Sequence, residues 1–190
     1  MSSILKVDQL QDSGGNEIIT SNGSGTITVN SQPFKNGITM ADGWRLSANT
    51  NQGTNGVVST NWERMDTREF SQIGTGLTES SGVFTFPTTG IYWVHYVARF
   101  TVDNGDTTAS FSLQVTNDNS NWLTGGYASA GNSGSIDIGA TGVNNNIINI
   151  QDTSNYKIRF SSSSMTTNSS LNGNTNDNRT HFIVIRLGDT

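Results

Sequence analysis

No cysteine occurs among the 190 residues, so disulfide staples and cysteine-bound metal are both excluded. Charge is scarce as well. Asp, Glu, Lys and Arg make up 13% of the chain, against about 25% in an average domain. The net charge is −5 and no basic patch interrupts it, so nucleic acid is not an expected partner. No run reaches the ~20 apolar residues that a membrane-crossing helix needs, and membrane insertion is not expected. Residues 1–6 lack the apolar stretch of a signal peptide, which leads to the expectation of synthesis in a cytoplasm. Apolar spacing at three and four residues is nowhere sustained and heptads are absent, which excludes a coiled coil.

What is present is lean but sufficient for a fold. Leu, Ile, Val and Phe are 42 of the 190 residues, just above the ~20% below which disorder is the rule. Gly, Asn, Ser and Thr fill the place of the missing charges. Their short side chains favour turns and edges over helix interiors. The expected class is all-β.

Residues 1–40 differ from the rest of the chain. Short apolar strands, Ile4-Leu5-Lys6-Val7, Glu17-Ile18-Ile19-Thr20 and Thr26-Ile27-Thr28-Val29, are cut by the turns Ser13-Gly14-Gly15-Asn16 and Ser21-Asn22-Gly23-Ser24-Gly25. Isolated hairpins are marginal in water. The segment is therefore read as an anchor that orders on docking, through Ile4, Leu5, Val7, Ile18, Ile19, Ile27 and Val29. From residue 41 the strands lengthen. Candidates are 44–49, 57–65, 70–74, 82–87, 91–102, 110–116, 122–129, 146–150, 156–162 and 180–187. Strands in this number, separated by turn signals, mean a sandwich or barrel over residues 41–190.

Two strand types are distinguishable. Ser110-Phe111-Ser112-Leu113-Gln114-Val115-Thr116 alternates, as a strand with one face on the core and one in water should. Ile91-Tyr92-Trp93-Val94-His95-Tyr96-Val97-Ala98-Arg99-Phe100 is apolar or aromatic on both faces, and so is much of Phe182-Ile183-Val184-Ile185. A sandwich covers only one face of each sheet. The second face needs another cover, and the simplest is a copy of the chain.

Phe70-Ser71-Gln72-Ile73-Gly74, with Gly82-Val83-Phe84-Thr85-Phe86-Pro87-Thr88-Thr89-Gly90-Ile91-Tyr92-Trp93 after it, resembles the central signature of the tumour necrosis factor-like jelly roll, nearest the globular head of the complement C-one-q family. Residues 148–160, with Asp152 at a turn, and the closing Thr180–Leu187 run add to it, so the likeness spans about 41–188. It implies an antiparallel jelly-roll sandwich forming a homotrimer. The interface residues it implies are Tyr92, Trp93, Val94, His95, Tyr96, His181, Ile183 and Ile185. The loops at 117–146 and 161–178 have no counterpart in it. The opening Ser2-Ser3-Ile4-Leu5-Lys6-Val7-Asp8-Gln9-Leu10-Gln11-Asp12, with Gly15-Asn16-Glu17-Ile18-Ile19, resembles the start of virion proteins of tailed phages, especially marine and cyanobacterial ones. It implies a place on the particle surface, with residues 1–40 docking onto capsid or tail proteins.

No catalytic constellation is expected. His95 and His181 have no nucleophile or metal partner at a recognisable spacing and read as interface histidines. Glu63, Asp66 and Glu69 read as solvated charge beside a strand. Asp103 and Asp106 flank Asn104-Gly105, as a hairpin turn would, and no complete calcium loop is present. Trp122 and Tyr127, among Asn, Ser and Gly, are the candidate glycan contacts. No cofactor or metal is expected. The functional expectation is a non-enzymatic, trimeric capsid decoration or head-fibre protein. The alternative is a tail-fibre or tail-appendage protein that recognises host surface polysaccharide.

Overall fold

The structure, a computed structural model, describes residues 7–29, 37–166 and 168–190. The expected anchor residues Ile4 and Leu5 lie outside the described residues, and Val29 is described by its backbone alone. The chain divides into two units, Met1–Gly37 and Ile38–Thr190.

The first unit is a three-stranded antiparallel sheet of β1 (Gln9–Gln11), β2 (Glu17–Ser21) and β3 (Ile27–Val29). The turn before β2 is closed by Asp12, whose Oδ1 accepts from the amides of Gly14 (2.8 Å) and Asn16 (2.9 Å). Leu10, Ile19 and Val29 stand opposite one another in the ladder. The sheet has little cover: Leu10 and Ile27 are exposed, while Ile18 and Ile19 are half-buried.

The second unit is a sandwich of two six-stranded antiparallel sheets. Its strands are β4 (Ala41–Leu46), β5 (Gly56–Val57), β6 (Trp62–Arg64), β7 (Thr78–Ser80), β8 (Val83–Thr85), β9 (Gly90–Val102), β10 (Ala109–Thr116), β11 (Leu123–Ala130), β12 (Ile138–Ile150), β13 (Lys157–Ser163), β14 (Ser170–Leu171) and β15 (His181–Gly188). One sheet runs β11-β10-β13-β8-β7, with β5 beside β13. The other runs β12-β9-β15-β4-β6, with β14 beside β9.

The expected strands are found, with β7 and β14 in addition to them and three further differences. The 57–65 run breaks into β5 and β6, with Asn61 in a left-handed turn (φ 66°). Residues 70–74 form no strand, and Ile73 makes one bridge to Ala41. The 146–150 strand begins at Ile138, because its Gly, Ala and Thr positions belong to a strand and not to a loop. Gly142 is required there: a Cβ on it would come within 2.7 Å of the Ser129 amide nitrogen. The Gly82 of the signature is equally specific. It sits at φ 79°, and a Cβ there would overlap the Val58 carbonyl oxygen.

Aromatic rings organise the core. Phe160 on β13 stacks on Phe111 of β10 (5.1 Å between centroids) and meets Phe182 of β15 at 4.6 Å and Tyr96 of β9 at 5.5 Å. It therefore joins both sheets. Ser110 and Ser112, expected in water, are buried, with Ser110 Oγ bonded to Ser129 Oγ at 2.9 Å across to β11.

Two ion pairs, each with one fully buried partner and unexpected from the sequence, fix β4. Asp42 Oδ2 accepts from Arg64 Nη1 (2.6 Å), Trp44 Nε1 (3.0 Å) and the Leu77 amide (2.8 Å). Arg45 is fully buried; its Nε donates to Glu63 Oε1 (2.7 Å) and its Nη2 to Thr67 Oγ1 (2.9 Å). Glu63 is thus no solvated charge.

Equilibrium denaturation is expected to register both features. Phe160→Ala costs about 3–5 kcal/mol, since its ring bridges the sheets and leaves a cavity. Glu63→Ala costs about 1–3 kcal/mol, because it leaves the buried Arg45 Nε without its partner while Glu63 itself is partly exposed.

Candidate functional site

The pleat assigns the side chains of β9 to two faces. Tyr92, Val94, Tyr96, Ala98 and Phe100 are fully buried between the sheets. Ile91, Trp93, His95 and Val97 point the other way and are half-buried within one chain. This corrects the expected interface set. Tyr92, Val94 and Tyr96 fill the protomer's own core, because consecutive strand residues cannot face the same side. Tyr92 Oη donates to the Thr88 carbonyl at 2.8 Å.

The remaining expected residues, Trp93, His95, His181, Ile183 and Ile185, come together on the outward face. Register builds three rows across β12, β9 and β15: Ile147–Trp93–Ile185, Asn145–His95–Ile183 and Val143–Val97–His181. Ile147 is 69% exposed and Val143 52%. The face ends towards β4, where Met65 lies over Gly43, so close that a Cβ there would overlap it, and where loop residues cover Arg45. An apolar surface therefore spans three strands without full cover from the described residues of its own unit. Ile147 and Val143 escaped notice in the sequence because they alternate with Asn, Gly and Thr.

The two histidines are held by their Nδ1 atoms. That of His95 lies 2.7 Å from Asn145 Oδ1, and its ring stacks on Trp93 at 5.5 Å. That of His181 donates to the Arg179 carbonyl at 3.2 Å. Burial, and secondarily the nearby charge of His95, push the His181 pKa below its ordinary value, against the pull of the Arg179 and Asn178 carbonyls.

The other candidates lie elsewhere. Trp122 is half-buried beneath the Arg159 guanidinium, 4.1 Å from its ring, with Arg159 Nε bonded to Gln114 Oε1 (2.7 Å). One ring face is thus already occupied. Tyr127 stands opposite Ser112 on the outward side of the β10 sheet and is exposed. Asp106 is buried and accepts from Ser169 Oγ (2.6 Å) and the Thr166 amide (3.1 Å), so it ties two loops together. Asp66 and Glu69 are exposed. Asp118 and Asp152 each close a turn. The carboxyl of Asp118 is held far below the usual carboxylate range by hydrogen bonds from Asn121 and Ser120, and that of Asp152 is lowered by Ser154 and Asn155.

No protein-family model and no curated protein matches the chain. Solved structures match by shape. The structure of Eiger TNF from S. frugiperda aligns with a TM-score of 0.61 at 15% identity, over 81% of this chain and 96% of that one. Murine APRIL, in its crystal structure at pH 5.0, aligns with a TM-score of 0.57 at 13% identity, over 78% of this chain and 98% of that one. The same protein at pH 8.0 gives 0.56 at 12%. At such identities the likeness is one of fold: the chain carries an all-β, antiparallel jelly roll of the tumour necrosis factor type.

Proposed function

We propose that this is a non-enzymatic structural protein of a tailed-phage virion: a homotrimer of the capsid decoration or head-fibre type, anchored through residues 1–40. The observation that carries the assembly half is the uncovered apolar face of β12, β9 and β15, on a domain whose core is already filled. Burying apolar surface is worth about 25 cal/mol per Å². Three copies round an axis cover such faces in a closed assembly, which leaves no open edge to propagate.

The virion half is supported by the resemblance of residues 2–19 to the opening of phage virion proteins. It is also supported by the small N-terminal sheet, on which Leu10 and Ile27 are exposed. Such a unit suits docking onto a particle. The second reading, a tail appendage that recognises host polysaccharide, is favoured by exposed Tyr127 and Leu123 on β11, away from the assembly face. Averaged images of the intact particle separate the two. Decoration requires many copies of threefold density on the capsid, whereas a tail appendage requires a few trimers at the tail.

Ile185→Asp places a charge in the centre of the proposed interface. The full chain is expected to sediment as a monomer with an unchanged circular dichroism spectrum, and a persisting trimer would contradict the interface. The pH response is set by His181. Its folded pKa is lowered, so the folded state binds fewer protons than the unfolded one. Stability is therefore full above the unfolded-state value of about 6.5 and declines as pH falls below it. Melting temperatures between pH 7 and pH 5 are expected to drop for the natural chain and to flatten in His181→Asn.

A further inference from the structure

At the polar end of the assembly face lies an open hollow of about 540 Å³, lined by Val97, Arg99, Thr141, Asn172, Asn178 and Arg179. Its electrostatics are at odds with the chain. A protein of net charge −5 places two of its ten cationic side chains here, and no carboxylate lines the space. The two arginines are not equivalent. Arg179 is paired with Asp177, Nε to Oδ1 at 2.8 Å, so its charge is largely answered. Arg99 forms no ion pair among the described residues; its only side-chain bond is from Nη1 to Thr141 Oγ1 at 3.2 Å.

Arg99 is nevertheless held in place. Thr141 stands directly opposite it on β12, and Gly139 lies two residues away on the same face. A Cβ on Gly139 would overlap Arg99 Nη2 and come within 3.1 Å of its Cζ. The guanidinium therefore lies over the glycine, and a side chain at that position would displace it. Asn178 is aimed by its carbonyl oxygen, which accepts from buried Arg45 Nη1 at 3.2 Å. Its amide nitrogen has no partner among the described residues. Asn172 is similarly fixed by paired bonds with Thr101 Oγ1.

We infer that this hollow binds an acidic saccharide unit, with Arg99 taking its carboxylate or sulfate. A guanidinium fork matches a planar or tetrahedral oxyanion. Asn178 Nδ2 and the Thr141 hydroxyl supply bonds for sugar hydroxyls, and Val97 supplies an apolar wall for a ring's C–H face. The volume falls in the range of about 300–1,000 Å³ typical of organic-ligand sites, more than a bare inorganic anion needs. Val97 also belongs to the last row of the assembly face, so the site lies at the border of the proposed trimer.

The test is calorimetric titration of the full chain at low salt with three probes: glucuronate, inorganic sulfate and methyl glucoside. Glucuronate is expected to bind and to be displaced by sulfate, while methyl glucoside gives no heat. Arg99→Gln should weaken glucuronate at least tenfold, and Arg99→Lys less. Gly139→Val keeps every charge but lifts the guanidinium off its seat, and it should reproduce the loss. Arg99 is exposed, so its replacement leaves the core intact, and sedimentation of each variant reports assembly separately. Absence of glucuronate binding, equal affinity in Arg99→Gln, or sulfate binding without glucuronate binding would each overturn the inference.

Discussion

Along β9, Tyr92, Val94, Tyr96, Ala98 and Phe100 point into the protomer's core, and their neighbours Trp93, His95 and Val97 must therefore point away from it. The rest of the structure depends on that two-residue period. Tyr96 of the inward set meets Phe111 and Phe160, Phe160 meets Phe182, and the sandwich closes. The outward set cannot join that core, whatever its hydrophobicity. Its cover has to come from outside the sandwich. A strand apolar on both faces thus ties folding and assembly to one stretch of sequence.

The neighbouring strands extend this constraint and also limit it. β12 and β15 carry the apolar surface sideways through Ile147, Val143, Ile183 and Ile185. β4 stops it, because Met65 and the ion-paired Arg45 cover that side. Further along β9, Arg99 changes the chemistry from apolar to cationic within one pleat repeat of Val97. The same sheet face therefore offers an apolar surface suited to like copies and, at its end, a polar hollow of a different kind.

Much of this was legible in the sequence. The Gly-Val-Phe and Phe-Pro corners, the Gly-Ile-Tyr strand and the closing 180–187 strand carried the resemblance to the jelly roll, while the strand pattern alone reached only a sandwich or barrel. The doubly apolar character of 91–100 announced an uncovered face. Which of its residues lay on that face was not legible, since Tyr92 and Trp93 are alike in hydrophobicity and only the pleat separates them. Glu63 looked solvated because its partner, Arg45, is eighteen residues away and buried. Arg99 and Gly139 gave no signal at all, because the site exists only through the pairing of β9 with β12.

The central claim is that the outward face of β12, β9 and β15 is covered by two further copies of the chain. Sedimentation equilibrium of the unmodified full chain at micromolar concentration tests it most directly. The account predicts a single species of about three times the 20.4 kDa chain mass. A species of 20.4 kDa, with Trp93 and Ile185 left in water, would contradict it.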